Sequence, residues 1–192
     1  MKLNNINKSF ASKKVFNNQS FEFKDNKITY ILGESGIGKT TILRMIAGLD
    51  RDFQGNILKN SDKISYVFQE PRLFPFLSVY DNIVLSSDNS PYTVNQVLKL
   101  VEMENEINAL PASLSGGMKM RVALARAIYS NGDIYLMDEP FSALDGDLKS
   151  RILPNIFEML KNKTVIIVSH NVEEANQYAD EIINLNTVLN QK

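Results

Sequence analysis

Gly33-Glu34-Ser35-Gly36-Ile37-Gly38-Lys39-Thr40-Thr41 fits the pattern G-x-x-x-x-G-K-[ST], a phosphate-binding loop. The apolar run Ile28-Thr29-Tyr30-Ile31-Leu32 ahead of it reads as a buried strand. Ile42-Leu43-Arg44-Met45-Ile46-Ala47 behind it reads as a helix ending at Gly48. Strand, glycine loop and helix form the setting in which this pattern works. At Gly33, Gly36 and Gly38 the backbone can take positive φ and approach an anion. Successive N–H groups then converge on one concavity, and the helix start adds unpaired N–H groups and its positive dipole end. Lys39 brings a full charge to the β- and γ-phosphates, and the Thr40 hydroxyl can ligate Mg²⁺. The competing reading is a glycine-rich turn that matches by chance, and the flanking strand and helix weigh against it.

Working outward, the 192 residues suffice for one domain with a real core. A net charge of −1 provides no basic field for nucleic acid. The absence of cysteine excludes disulfides and thiolate metal sites. Met1-Lys2-Leu3-Asn4-Asn5 has no apolar signal core. No apolar run approaches the roughly 20 residues that span a bilayer. The expectation is a soluble or peripheral protein that acts at a membrane only through a partner.

The first thirty residues read as short strands with turns, among them the alternating Phe21-Glu22-Phe23, with Ser9-Phe10-Ala11-Ser12 in an early loop. Phe53-Gln54-Gly55-Asn56 reads as another turn. Lys63 to Phe68 is a strand that delivers Gln69 at its end. Residues 71–131 then read as a mostly helical lobe. Thr93 with Gln96 fits a capping box, and Val94, Val97, Leu98 and Val101 follow at helical spacing. A further helix begins near Ser115. Ile134-Tyr135-Leu136-Met137 and Thr164-Val165-Ile166-Ile167-Val168 are continuous apolar runs, as in parallel strands covered on both faces. Between them a helix is expected over 147–161, with Pro154 tolerable only near its first turn or as a kink. A helix over 172–179 and a strand over 181–185 close the chain. Strands alternating with helices imply a parallel sheet.

Several polar residues fall at strand ends, where ligands sit in open α/β sheets. Asp138 is assigned to a metal and Glu139 to the attacking water; the alternative is an exposed acidic turn before Pro140. Gln69 can ligate Mg²⁺ and hold a water, though a lone Gln after a strand is usually a plain loop residue. His170, the only histidine, can reach a γ-phosphate oxygen from the same edge. Ser115-Gly116-Gly117 opens a helix to an anion by the same logic as the first loop. One loop already encloses one nucleotide's phosphates. This second site therefore serves another nucleotide or is structural, and spacing does not decide which.

Taken together, the set resembles the nucleotide-binding subunit of an ABC transporter. Gly33 to Thr40 looks like its Walker A motif, Gln69 its Q-loop and Leu114-Ser115-Gly116-Gly117-Met118 its signature. Ile134 to Glu139 looks like Walker B with the catalytic glutamate, Ser142-Ala143-Leu144-Asp145 the D-loop and His170 the switch histidine. The resemblance runs from about residue 3 to residue 185. It departs from the common pattern at Met118, where Gln is usual, and at Phe10, where Tyr is usual.

The resemblance implies a single domain over 1–192, a P-loop NTPase core with a mostly parallel sheet. An N-terminal antiparallel β part would join the core (1–70 and 132–192), with the helical subdomain inserted at 71–131. It implies that Gly33, Glu34, Ser35, Gly36, Ile37, Gly38, Lys39, Thr40 and Thr41 wrap the phosphates of ATP. Phe10 would stack on adenine, against the plainer reading of a core residue. Thr40, Gln69 and Asp138 would hold Mg²⁺, with Glu139, His170 and Lys39 catalytic. Family members pair head to tail, so Ser115, Gly116 and Gly117 would contact the partner chain's ATP, with Asp145 in the D-loop between. Gln69 to Val79 is similar to importer subunits of the nitrate, sulfonate and taurine type, and would dock on a membrane permease served by a solute-binding protein. The expected place is the cytoplasmic face of a bacterial membrane. On this reading 192 residues leave no room for the regulatory domain of many sugar importers. An exporter or lipoprotein-releasing subunit would share every catalytic motif. A DNA-repair or translation ATPase would carry coiled coils or tandem domains.

Overall fold

The computed structural model describes residues 1–11 and 13–190, Asn190 by its backbone only. In chain order the strands and α-helices are β1 (Lys2–Phe10), β2 (Lys13–Glu22), β3 (Ile28–Leu32), α1 (Lys39–Ile46), β4 (Gln54–Leu58) and β5 (Ile64–Val67). Then follow α2 (Val79–Val84), α3 (Val94–Leu100), α4 (Gly116–Tyr129), β6 (Ile134–Asp138), α5 (Gly146–Met159), β7 (Thr164–Val168), α6 (Val172–Tyr178), β8 (Glu181–Asn184) and α7 (Leu185–Asn190).

Every residue of β6 and β7 is buried, which a strand tolerates only with cover above and below. They lie at the centre of a five-stranded sheet in the order β5-β6-β7-β3-β8, every neighbouring pair parallel. Alternate residues feed opposite cores. Tyr30, Leu32, Tyr135, Met137, Val165 and Ile167 meet α2 to α5 on one side. Ile31, Ile134, Leu136, Ile166 and Val168 meet α1 and the inner faces of β1 and β2 on the other.

The second sheet is antiparallel, in the order β2-β1-β4. Here two readings of the sequence are corrected. Instead of short strands, β1 and β2 form one long ribbon whose bulges absorb its polar asparagines, so Ser9 and Phe10 belong to a strand. Ser12 lies outside the described residues. The turn expected at 53–56 is instead the start of β4. Gln54, Gly55 and Asn56 carry turn chemistry, but β1 offers them backbone partners. Gly55 sits at φ 116°, where a Cβ would stand 2.6 Å from the Asn4 carbonyl oxygen.

Between β5 and β6 the chain carries α2, α3 and α4. The capping box at Thr93 and Gln96 opens α3. Arginines fasten this block. Arg126 donates to the carbonyls of Pro71 and Arg72 (3.0 and 3.1 Å), and Arg121 to those of Val101 and Glu102 (2.9 and 2.7 Å). Pro154 lies well inside α5, on its exposed side, which excludes the first-turn option; the helix runs on without that N–H bond.

Candidate functional site

The C-terminal ends of β3, β5, β6 and β7 share one edge of the sheet, because all four run parallel. At that edge a cavity of about 360 Å³ is lined by Phe10, Ser35, Gly36, Gly38, Lys39, Thr40, Thr41, Gln69, Asp138 and Glu139. Residues as far apart in sequence as Phe10 and Val168 are thus brought together.

The loop after β3 takes its shape from glycine. Gly38 caps α1 in a left-handed conformation, φ 115°, and a Cβ there would stand 2.6 Å from Val15 Cγ1 and 2.7 Å from Phe16 Cζ. No other residue type fits both demands. The Lys39 ammonium folds back inside the loop and donates to the carbonyls of Gly33 (2.7 Å) and Glu34 (2.8 Å). Thr40 Oγ1 donates to Asp138 Oδ1 at 3.1 Å, which ties the loop to the end of β6. Asp138 is almost wholly buried. Burial pushes its carboxyl above the usual range, against the pull of the Thr40 hydroxyl and with a further push from the Glu139 charge.

Glu139 follows β6 in a left-handed backbone conformation, φ 49°, which side chains seldom adopt. Its N–H donates to the Val168 carbonyl at 2.9 Å, so the turn is pinned to β7. His170 Nδ1 lies 3.1 and 3.0 Å from the two Glu139 carboxylate oxygens. An ionised carboxylate only accepts, so Nδ1 carries the proton and Nε2 is left for another partner. Phe10 is 49% exposed, which overturns its plainer reading as a core residue.

Ser115, Gly116, Gly117 and Asp145 do not line this cavity. Ser115 caps α4, its Oγ accepting from Met118 N–H at 3.2 Å, and Asp145 caps α5, accepting from Leu148 N–H at 2.8 Å. The two caps are neighbours: a Cβ on Gly117 would stand 2.9 Å from the Ala143 carbonyl oxygen. Gly116 meets nothing within 4 Å on its outer side. Residues 115–117 and the 142–145 turn therefore adjoin one another outside the cavity.

Reasoning from sequence missed several residues of the site. Lys13 and Val15 of β2 form one wall of the cavity. Asn186 of α7 accepts from the Glu34 N–H at 3.3 Å. None belongs to a motif, and each arrives from another part of the fold. Thr40, Gln69 and Asp138 offer hydroxyl, amide and carboxylate oxygens, the donor set of a hard cation that keeps waters and phosphate oxygens in its shell.

The family model described as "ABC transporter" matches residues 16–142. The chain is 39% identical over 180 residues to an aliphatic sulfonates import ATP-binding protein of Pseudomonas syringae pv. tomato, covering 92% of this chain and 78% of that protein. It superimposes on the dimeric structure of MJ0796, a bacterial ABC transporter cassette, with a TM-score of 0.82 at 27% identity, covering 96% of this chain and 94% of the other. A post-hydrolysis structure of MJ0796 bound to ADP and Pi superimposes with a TM-score of 0.80 at 28% identity, covering 95% and 93%. Motifs, topology and similarity agree, and the chain belongs to the ABC transporter family.

Proposed function

We propose that this chain binds and hydrolyses ATP and thereby powers import of a small solute through a separate membrane permease. The observation that carries the reading is the meeting of Lys39, Thr40, Gln69, Asp138 and Glu139 in one cavity at the sheet edge. The loop N–H groups and Lys39 bind the phosphates. Phe10 stacks on the adenine. Thr40, Asp138 and Gln69 hold Mg²⁺, which when bound neutralises charge on the phosphate oxygens. Glu139 orients the attacking water and takes its proton, and His170 fixes the Glu139 carboxylate through Nδ1 while Nε2 faces the γ-phosphate.

Two copies pair head to tail, so that Ser115, Gly116 and Gly117 cover the ATP held by the partner and Asp145 lies between the two sites. The dimeric state of the similar cassette supports this pairing. Phe74 and Phe76 are exposed, Phe76 at 91%, and with the segment Gln69 to Val79 they receive the permease. The similarity to a sulfonate importer favours a small anionic solute delivered by a solute-binding protein. Among the described residues no helix is long and apolar enough to cross a membrane, in keeping with a peripheral subunit on the cytoplasmic face.

The test is Glu139→Gln. The amide keeps the shape but cannot take a proton, so turnover should fall by at least about 100-fold. ATP affinity, read by equilibrium dialysis, should stay within a factor of two or so of wild type, since the base is not a phosphate-binding group. Near-normal hydrolysis in this variant removes Glu139 from its role.

A further inference from the structure

The adenine end of the cavity contains a device that no motif describes. Lys8 and Phe10 lie two residues apart on β1, on the same face of the strand. Phe10 rises into the cavity and is half exposed, while Lys8 is 4% exposed. The Lys8 ammonium stands 4.5 Å from the centroid of the Phe10 ring. A cation at that distance over an aromatic face is held by the ring's quadrupole, and more strongly where water is excluded.

The cation is itself anchored. Lys8 Nζ donates to Asp50 Oδ1 at 2.9 Å and to the Asp52 carbonyl at 2.6 Å, with the Asp52 carboxylate at 3.4 Å. The Asp50 carboxylate also accepts from the Asp52 N–H at 3.1 Å, which closes the loop around the ammonium. Burial works to lower the Lys8 pKa, but the hydrogen bonds and charges of Asp50 and Asp52 together outweigh it and raise it above the usual lysine value. Asp50 and Asp52 lie four and six residues beyond the end of α1, the helix that begins at the phosphate loop, and the Asp50 N–H donates to the Arg44 carbonyl of that helix at 3.1 Å.

We propose that Lys8 is a positioning residue for base binding, which holds the Phe10 ring by one face so that the other is presented flat to the adenine. A phenylalanine lacks the hydroxyl that could tether a tyrosine at this place, and at a half-exposed strand end its ring would otherwise be shared among several χ1 wells and a broad range of χ2. The lysine replaces that tether and draws electron density toward its own side of the ring. The acidic loop fixes the lysine in turn, so the base platform and the end of the phosphate-loop helix move as one body. The proposal rests on the reading of the cavity as an ATP site.

The experiment compares two ligands in the full chain, ATP and inorganic tripolyphosphate, by equilibrium binding. Lys8→Met keeps the stem and removes the charge. ATP affinity should fall about 3- to 10-fold, the range of a partly desolvated cation–π contact, and tripolyphosphate affinity should not change. In turnover, KM for ATP should rise while kcat stays level. In a Phe10→Ala background the same replacement should cost nothing more, because the ring through which it acts is gone. Lys8→Arg, which keeps a cation over the ring, should restore ATP affinity to within about twofold.

Should Lys8→Met not fold, Asp50→Asn takes its place: the lysine stays but its anchor loosens, and a smaller loss confined to ATP is expected. Equal loss for both ligands in a folded variant, or an undiminished loss without Phe10, overturns the proposal. Failure of the wild-type chain to bind ATP better than tripolyphosphate would instead remove the adenine site itself, so the two failures are distinguishable.

Discussion

Asp138 shows how one carboxylate can serve a site at the expense of the fold. Among the described residues its one side-chain donor is the Thr40 hydroxyl, and burial raises its pKa. An acid whose native pKa lies above its unfolded value binds its proton more readily when folded. Folding is then favoured below that pKa and hindered above it. At pH 7, in the absence of nucleotide, Asp138→Asn should therefore raise Tm, by about 2–4 °C for each kcal/mol relieved in a domain of this size. The gain should shrink as the pH falls through the Asp138 pKa, because the wild-type group then sheds its charge. Differential scanning calorimetry between pH 4 and pH 7 reads both effects (pH 4 lying near the ordinary carboxylate pKa). Loss of ATPase activity should accompany the gain in stability. A lower Tm at pH 7 would mean that the Thr40 hydrogen bond outweighs the buried charge.

The short α2 shows how an element is made by two side chains. Ser78 caps it, accepting from the Asp81 N–H at 3.1 Å and donating to the Asp81 carboxylate at 2.6 Å. Asn82, fully buried, accepts from the Phe74 N–H (2.7 Å) and donates to the carbonyls of Phe74, Leu77 and Ser78 (3.1, 3.0 and 2.9 Å). One amide thus moulds the 74–78 turn and leaves Phe74 and Phe76 outside it. Asn82→Asp keeps the size but sets a carboxylate against three carbonyl oxygens. A loss of about 3–5 kcal/mol is expected, as for an unpaired buried charge, visible as a lower urea midpoint with an unchanged m-value. In the sequence, residues 71–78 read only as the start of a helical lobe and part of a docking segment, and neither α2 nor the role of Asn82 was foreseen. The helix has six residues, too few for a periodic signal, and its organising hydrogen bonds go to backbone that only the fold brings close.

In the whole molecule Ser115, Gly116 and Gly117 lie outside the cavity of their own chain, with open space beside Gly116. If two chains complete each other's sites, a hydrolysis-deficient Glu139→Gln protein should elute as a dimer on gel filtration with ATP and as a monomer without it. Adding Ser115→Arg should abolish that dimer, because a long cation would stand at the exposed start of α4. ATP binding by the monomer should be retained within a factor of two or so, since Ser115 does not line the chain's own cavity. A dimer that persists in the double variant would separate Ser115 from the interface.

The local signals carried the core of this protein. Continuous apolar runs at 134–137 and 164–168 are typical of parallel strands covered on both faces, and glycine, lysine and threonine at fixed spacing after such a strand form the pattern of a phosphate-binding loop. Polar residues at the ends of those runs then had to share one edge. The antiparallel sheet was less legible. Gln54, Gly55 and Asn56 have the propensity of a turn and become a strand because β1 pairs with them. The Lys8 ammonium beneath Phe10, the wall supplied by Lys13 and Val15, Asn186 against the loop and Gly117 against Ala143 all depend on contacts across many residues of chain. Spacing and propensity act over a few positions. Those contacts exist only once two sheets and a helical block have packed, and so they were settled by packing alone.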